Sequence, residues 1–152
     1  MKWHPYGNID PFKIPEIADK LLNEYWDIAE ALGIKTFLYL GTCLGFVRDG
    51  GYIMGDNDID VGILGEIGEL AIRLTENGFA KKRIWPDRNY HFLKYGVLLD
   101  VYFGFPDRRF FQSFDKVMHK GRAYNVPYPV EDYLKAKYGD WKTEKHRKVW
   151  EG

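Results

Sequence analysis

The stretch Asp56-Asn57-Asp58-Ile59-Asp60-Val61 carries the strongest indication of fold and chemistry in the chain. It places three carboxylates where the flanking apolar residues indicate the start of a buried strand. Residues two apart in a strand share a face, so Asp58 and Asp60 are predicted to point the same way with their charges close together. The two carboxylates repel each other unless both bind one divalent cation, which can also bind the phosphate oxygens of a substrate. The stretch therefore predicts Mg²⁺ and phosphoryl chemistry.

The composition of the chain indicates one globular domain. A chain of 152 residues buries about two thirds of the surface that it exposes when unfolded, which is enough for a single compact domain. Hydrophobic residues make up 45% of it, as expected for a chain that builds a core. Lys plus Arg and Asp plus Glu both number 22, so no net charge attracts nucleic acid and no DNA partner is expected.

The expected location follows from cysteine usage and hydropathy. Cys43 is the only cysteine, which excludes an internal disulfide and favours the reducing cytoplasm. No apolar stretch approaches the ~20 residues that cross a bilayer, and the first residues lack the apolar run of a signal peptide. A cytoplasmic protein without a transmembrane segment is expected.

The hydrophobic pattern alternates between helix and strand periods along the chain. Helices are predicted over residues 15–32, 43–48, 66–77 and 130–138, and strands over residues 36–40, 58–64, 79–85, 90–93 and 97–103. The tight turn Lys94-Tyr95-Gly96 joins the last two strands as an antiparallel pair. We therefore predict an α/β (α+β) domain, residues 1–141, with a mixed β-sheet flanked by helices. Residues 107–124 fit either strand or loop, and the charged residues 142–152 are predicted to form a C-terminal tail.

A third acid lies inside a later strand. Asp100 is flanked by Leu99 and Val101, and an unpartnered carboxylate in such a buried strand costs several kcal/mol. If this strand lies beside Asp58 and Asp60, three carboxylates converge, enough to hold one or two Mg²⁺ ions, or Mn²⁺ in their place. Asp100 could also take a proton from an attacking hydroxyl. A single Asp is more often a solvated or salt-bridged side chain, but three in this context favour a metal site.

The dipeptide Gly41-Thr42 lies between a predicted strand and a predicted helix. Glycine there lets the backbone approach a phosphate, and the helix N-terminus offers free N–H groups and a positive dipole end. The Thr42 hydroxyl can add a hydrogen bond to the same phosphate. Ordinary helix capping is the commoner use of such a turn, and only its position upstream of the acid pair favours a nucleotide site.

Taken together, these features resemble the pattern of the nucleotidyltransferase superfamily. The block Gly41-Thr42-Cys43-Leu44-Gly45-Phe46-Val47-Arg48 ahead of the acidic cluster is similar to the signature of the LicD/fukutin family of phosphotransferases. Tyr133-Leu134 and Tyr138-Gly139-Asp140-Trp141 resemble the ending of that family, so the resemblance covers residues 16–141. The chain departs from the family where Met54-Gly55 replaces Pro-Trp and where Asn57 replaces an acid.

The resemblance implies a nucleotidyltransferase-like fold and a transfer reaction. Phosphocholine or a polyol phosphate would pass from a CDP-activated donor to a sugar hydroxyl of a glycan acceptor. The resemblance implies three catalytic acids that also bind the metal: Asp58, Asp60 and Asp100. It implies donor or cofactor contacts for four further residues: Gly41, Thr42, Arg48 and Asp56. For Arg48, a structural role near the helix end is an equal alternative.

Two other functions remain open from the sequence. In one, the same fold transfers NMP from a nucleoside triphosphate to a small molecule, a protein or an RNA end. In the other, the chain is a non-catalytic nucleotide-binding module. The intact acids argue against the second of these.

Overall fold

The computed structural model describes residues 3–143 of the chain. The helices are α1 (Pro15–Ala31), α2 (Leu40–Asp49), α3 (Gly68–Glu76) and α4 (Val130–Tyr138), with a one-turn 3-10 helix (Pro11–Lys13) before α1. The strands are β1 (Lys35–Leu38), β2 (Ile59–Leu64), β3 (Ala80–Trp85), β4 (Asn89–Lys94), β5 (Val97–Tyr102), β6 (Phe114–His119) and β7 (Arg122–Pro127). The predicted mixed α/β architecture is confirmed. The predicted tail falls outside the described residues from position 144 onward.

The central sheet has five strands in the order β1-β2-β5-β4-β3. β2 and β5 are parallel, and the other neighbouring strands pair antiparallel. Asp60 lies opposite Asp100 in this register, so the predicted neighbourhood of the two acid-bearing strands is confirmed. The predicted tight turn at 94–96 is confirmed as well, because Lys94 pairs with Val97.

Helix α1 forms where the apolar stripe predicts it. Its inner residues are fully buried, and they include Leu21, Leu22 and Tyr25. The Tyr25 hydroxyl lies 2.7 Å from the Thr36 hydroxyl, and Thr36 donates to the Gly62 carbonyl at 2.8 Å. Because Thr36 and Phe37 are consecutive in a strand, they point to opposite faces. Helix α1 therefore covers one face and leaves the face of Phe37 for the site.

Helix α2 begins three residues earlier than predicted. It starts at Leu40, so Gly41 and Thr42 lie in its first turn and not in a loop before it. Leu40 has φ 45, a left-handed conformation that is uncommon for a branched residue. Its N–H donates to the Tyr133 hydroxyl at 3.1 Å, and this contact from α4 fixes the start of the helix.

The hairpin β6–β7 was not resolved by the sequence pattern of residues 107–124. Its turn has positive φ at Lys120 and Gly121, the geometry that suits a two-residue hairpin. The turn docks on α1, where His119 Nε2 and Lys120 Nζ each lie 2.9 Å from the Asp19 carboxylate. On the other side, the Asn125 amide donates to the Thr36 carbonyl at 3.0 Å. The hairpin thus closes the core beside β1.

The apolar length of the helices bears on membrane insertion. Across residues 3–143, none of the helices is long and apolar enough to span a membrane.

Candidate active site

A row of side chains crosses three strands on one face of the sheet and continues beyond the end of β1. Asp60 on β2 lies opposite Asp100 on β5, which lies opposite His91 on β4. Tyr39 extends the row past β1, with its N–H donating to the Asp60 carbonyl at 3.0 Å. Neighbouring strands are about 4.8 Å apart, so each side chain in the row is the direct neighbour of the next.

Three carboxylates gather at one end of this row. Asp56, Asp58 and Asp60 each offer an oxygen within 4.8 Å of the others. Burial, then the neighbouring carboxylates, raises the pKa of Asp58 and of Asp60 well above the usual range. Burial, then Asp10, raises the pKa of Asp56 to about 7. Three carboxylate oxygens at this spacing suit a hard divalent cation, so this acid triad fits the predicted metal.

The acid loop is held by the N-terminal segment, residues 3–10. The Asn8 side-chain amide donates to the Asn57 carbonyl at 2.7 Å. The Asn57 side chain in turn donates to the Trp3 carbonyl. Asn57, the residue that departs from the family pattern, thus ties the loop to this segment with both its carbonyl and its side chain.

Gly41 and Thr42 shape the acid triad directly. A Cβ at Gly41 would overlap Oδ2 of Asp56, so only glycine leaves room for that carboxylate. The buried Thr42 hydroxyl accepts a hydrogen bond from the Asp60 N–H at 2.8 Å, which fixes the start of β2. These contacts explain both residue types, and their predicted contact with donor phosphate stays a prediction.

Asp100 is positioned from β4 by a hydrogen bond from Asn89 and by a close contact with His91. Asn89 donates to its Oδ1 at 2.8 Å, and His91 Nε2 lies 3.2 Å from its Oδ2. His91 Nδ1 lies 2.7 Å from the Tyr6 hydroxyl, a contact that orients the ring beside Asp100. Among residues 3–143, the triad with close oxygens contains Asp56 and not Asp100. The role of Asp100 as a metal ligand stays a prediction.

Sequence reasoning missed Asn89 and Tyr6 as parts of the site. His91, the neighbour of Asp100 on β4, is buried with only 2% of its surface exposed. The sequence does contain an indication of both residues on β4. Asn89 and His91 are two positions apart, so they share a face, and their strand pairs with the strand of Asp100. For Tyr6 no periodic pattern pointed to the site.

The structure places Arg48 away from the acids. It lies in the last turn of α2, about 10 Å along the helix axis from Gly41 at 1.5 Å per residue. Its guanidinium donates to Asp49 at 2.8 Å and to the carbonyls of Trp141 and Thr143 at 3.4 and 3.2 Å. This geometry matches the structural alternative, and the contact of Arg48 with the donor stays a prediction.

The C-terminal motif of the resemblance reaches the site from α4. Burial, then the charges of Asp60 and Asp56, raises the pKa of Tyr138 above its usual range. Burial, then the charge of Asp60, likewise raises the pKa of Tyr39. Two tyrosines therefore flank the acids from β1 and α4.

The segment that contains these acids also matches a known family. Residues 33–103 match the model of the LicD/FKTN/FKRP nucleotidyltransferase domain. The match covers 71 of the 152 residues of the chain. It includes the Gly41-Thr42 turn, the acid triad and Asp100, so the resemblance predicted from the motifs is confirmed.

Solved structures share the fold of this chain. One is the lincosamide antibiotic adenylyltransferase LnuA with bound lincomycin, at TM-score 0.63 and 16% identity over 84% of this chain and 90% of that chain. Another is ANT(2")-Ia in complex with adenylyl-2"-tobramycin, at TM-score 0.60 and 18% identity over 87% of this chain and 84% of that chain. No curated protein matches the sequence significantly. The family match of residues 33–103, together with this shared fold, supports a transferase of the nucleotidyltransferase superfamily.

Replacing Gly41 by alanine tests the packing of the acid triad. The new methyl group occupies the place of the Asp56 carboxylate, so we expect Mn²⁺ affinity to fall about 10- to 100-fold. The fold should persist, because alanine is favoured inside a helix. Titration of Mn²⁺ by electron paramagnetic resonance measures the affinity. Gly68→Ala is the matched control, since Gly68 opens α3 with nothing within 4 Å of its Cβ position. Equal affinities in both variants would contradict the prediction.

Metal-free protein is expected to lose stability as the pH rises from about 4 to 7. Unfolded Asp titrates near pH 3.9, whereas the pKa of folded Asp56 is about 7 and those of Asp58 and Asp60 are also raised. Between these values the folded state holds more protons, so the free energy of unfolding decreases with pH. The decrease should amount to a few kcal/mol.

Denaturant unfolding in EDTA across this pH window measures the effect. The pKa values of Asp19 and Glu24 are lowered in the folded state and give the opposite slope, so wild type is compared with a variant carrying Asp58→Asn and Asp60→Asn. The variant retains Asp19 and Glu24, so the difference reports the contribution of Asp58 and Asp60. A wild-type curve that rises more steeply than that of the variant would refute the prediction.

Proposed function

We propose that the protein transfers phosphocholine or a polyol phosphate from a CDP-activated donor to a sugar hydroxyl of a glycan. The observation that carries the proposal is the acid triad beside Asp100, within the segment that matches the LicD/FKTN/FKRP domain. Asp58 and Asp60 bind Mg²⁺ together with Asp56. Mn²⁺ has the same preference for oxygen ligands and can replace it.

The bound metal would neutralise the negative charge of the two phosphates. The acceptor hydroxyl oxygen attacks the phosphorus that bears the alcohol, and a new P–O bond forms. The P–O bond to CMP breaks, and CMP leaves with the bonding electron pair. Asp100 takes the proton of the attacking hydroxyl, because Asn89 and His91 hold its carboxylate in place on the same face as Asp60. The product is a phosphodiester between alcohol and sugar.

Calorimetry with CDP-choline, CDP-glycerol and CDP-ribitol tests the donor. We expect Mg²⁺-dependent binding of at least one of them, and CMP release when a glycan acceptor is present. Binding should be lost when Asp58 and Asp60 are both replaced by asparagine. Absence of binding to every cytidine diphosphate ligand, or binding unaffected by the double substitution, would exclude the CDP donor.

A second candidate is transfer of NMP from a nucleoside triphosphate to a small molecule. It is supported by the fold that the chain shares with the lincosamide antibiotic adenylyltransferase LnuA and with ANT(2")-Ia, whose structure contains adenylyl-2"-tobramycin. In this reaction the acceptor hydroxyl attacks the α-phosphorus, and pyrophosphate leaves. Release of pyrophosphate from triphosphates, without CMP release from CDP-alcohols, would favour this candidate.

A further inference from the structure

An aromatic pocket of about 300 Å³ lies next to the acids on the β1 side. Its walls are Tyr39 after β1, the segment after β5 with Phe105 and Phe111, and α4 with Tyr133 and Ala136. We propose that this pocket binds the nucleobase of the nucleotide donor. The proposal rests on the proposed function for the presence of a nucleotide, and it assigns the part of the donor that the acids do not hold.

The position of the pocket relative to the acids comes from the strand register. Tyr39 neighbours Asp60 in the row, and its ring centroid lies 5.1 Å from that of Tyr102. A Cβ at Gly62 would overlap Phe37 and lie 3.0 Å from Phe105. The glycine therefore lets the aromatic wall extend along the same face as Asp60. A nucleotide whose phosphates lie at the triad has its base within reach of this wall.

The walls suit a flat ring. Tyr39 and Phe105 are the partly exposed rings that a base can stack on, with centroids 5.3 Å apart, whereas Phe111 and Tyr133 are buried. Bases stack on such side chains whatever their sequence identity, because each base has a π face. Within residues 3–143, no hydrogen bond involves the Tyr39 hydroxyl, so it is available to the edge of a base. The volume lies at the lower end of small-molecule sites, enough for one ring system.

The charges around the pocket disfavour a cationic occupant. Arg109 and Lys137 line it, against Asp107 alone. Lys137 Nζ lies 5.9 Å from the Tyr39 ring centroid, where a quaternary ammonium would otherwise make its cation-π contact. The positive charge of choline would be repelled by Arg109 and Lys137, whereas a neutral base would not be repelled. A phosphate close to either cation would be attracted to it. The pocket therefore binds the base, and the alcohol part of the donor lies outside it.

Filling the pocket tests the proposal. Ala136 is exposed on α4 and lines the pocket, so Ala136→Trp blocks it without altering the core. We expect CMP affinity in the presence of Mg²⁺ to fall about tenfold or more, the loss that follows from one lost base stack. Affinity for Mg²⁺-pyrophosphate, which has no base, should stay within about twofold. The matched control is Lys135→Trp, on the same helix but outside the pocket lining.

A second variant removes a wall. Phe105→Ala should weaken CMP binding by a similar factor and leave pyrophosphate binding unchanged, and circular dichroism checks the fold of both variants. Unchanged CMP affinity in the two variants would overturn the proposal. Binding of phosphocholine that Ala136→Trp abolishes would also overturn it, because the pocket would then hold the alcohol part of the donor.

The outcomes separate this proposal from the proposed function. If CMP release from CDP-alcohols persists in wild type while Ala136→Trp leaves CMP affinity unaltered, the pocket assignment fails alone. If AMP or ATP binds instead of CMP and Ala136→Trp weakens that binding, the CDP donor fails and the pocket assignment stands. If no nucleotide binds wild type with Mg²⁺, both are wrong.

Discussion

Replacing Asp58 and Asp60 together by asparagine is expected to abolish transfer and, at the same time, to stabilise the metal-free protein. The two carboxylates are the centre of the acid triad, and their pKa values are raised by burial and by mutual repulsion. Removing them deletes the metal ligands, which contribute several kcal/mol to charge stabilisation. Activity should therefore fall about 10³-fold or more.

The stability change has the opposite sign. Two buried like charges without a cation destabilise the folded state, and amides of the same shape carry no charge. Each pKa unit that is relieved corresponds to about 1.4 kcal/mol. We expect the thermal midpoint in EDTA to rise by roughly 3–10 °C.

Calorimetric unfolding with and without Mg²⁺ measures both effects. Wild type should be stabilised by Mg²⁺ and the double variant should not, because ligand binding stabilises only the state that binds it. Asp132→Asn is the control, an exposed acid on α4. A double variant that is less stable than wild type in EDTA would show that hydrogen bonds, and not a metal, balance these charges.

Replacing Asp100 by asparagine is expected to reduce transfer by about 10²- to 10⁴-fold, the usual contribution of a general base. The acid triad remains intact in this variant, so Mn²⁺ affinity should change by no more than about threefold. The reason is geometric, since Oδ1 and Oδ2 of Asp100 face Asn89 and His91. Asparagine keeps an acceptor for one of these groups but cannot take a proton.

The comparison of two measurements decides the role of Asp100. Turnover and Mn²⁺ affinity are measured on the same preparations, with Asp132→Asn again as the control. If Mn²⁺ affinity falls as far as in the variant without both Asp58 and Asp60, Asp100 is a metal ligand, as the sequence also predicts. If turnover is unchanged, it is not the base.

The sequence predicted the neighbourhood of the acids because the relevant signal is local. Asp58 and Asp60 alternate at the start of an apolar strand, and Asp100 is enclosed by apolar residues in another. The two strands could belong together only if the hairpin of β4 and β5 joined the sheet beside β2, and the register of Asp60 with Asp100 confirms this. The chemical roles of these acids still stand as predictions.

Part of the surroundings of Asp100 could be predicted from the sequence, namely the residue that lies opposite it on β4. The tight turn at 94–96 was predicted, and counting back from the pair of Lys94 and Val97 places His91 opposite Asp100, as observed. The contact from Tyr6 could not be found in this way, because it joins residues 85 positions apart through a segment without periodicity.

The role of Gly41 and the hairpin β6–β7 could not be predicted from the sequence, because both depend on tertiary contacts. Gly41 was interpreted through phosphate binding, whereas the carboxylate of Asp56 occupies the space beside its Cα. The hairpin β6–β7 has Lys120-Gly121 at its turn in place of the Asn-Gly or Asp-Gly pair that marks such turns. Its strands gain their burial from α1 and β1, and their own residues alternate weakly.

The N-terminal segment also has a consequence for the order of folding. Ile9 donates to the Gly96 carbonyl at 2.8 Å, and Tyr6 contacts β4, so the first residues of the chain can be seated only after strands in its middle have paired. Closing such long loops is slow compared with helix formation. We expect pulse-labelling hydrogen exchange to show the Ile9 amide protected after the amides of α1, with the acid loop maturing last. Simultaneous protection of both would mean that the segment collapses onto an early nucleus.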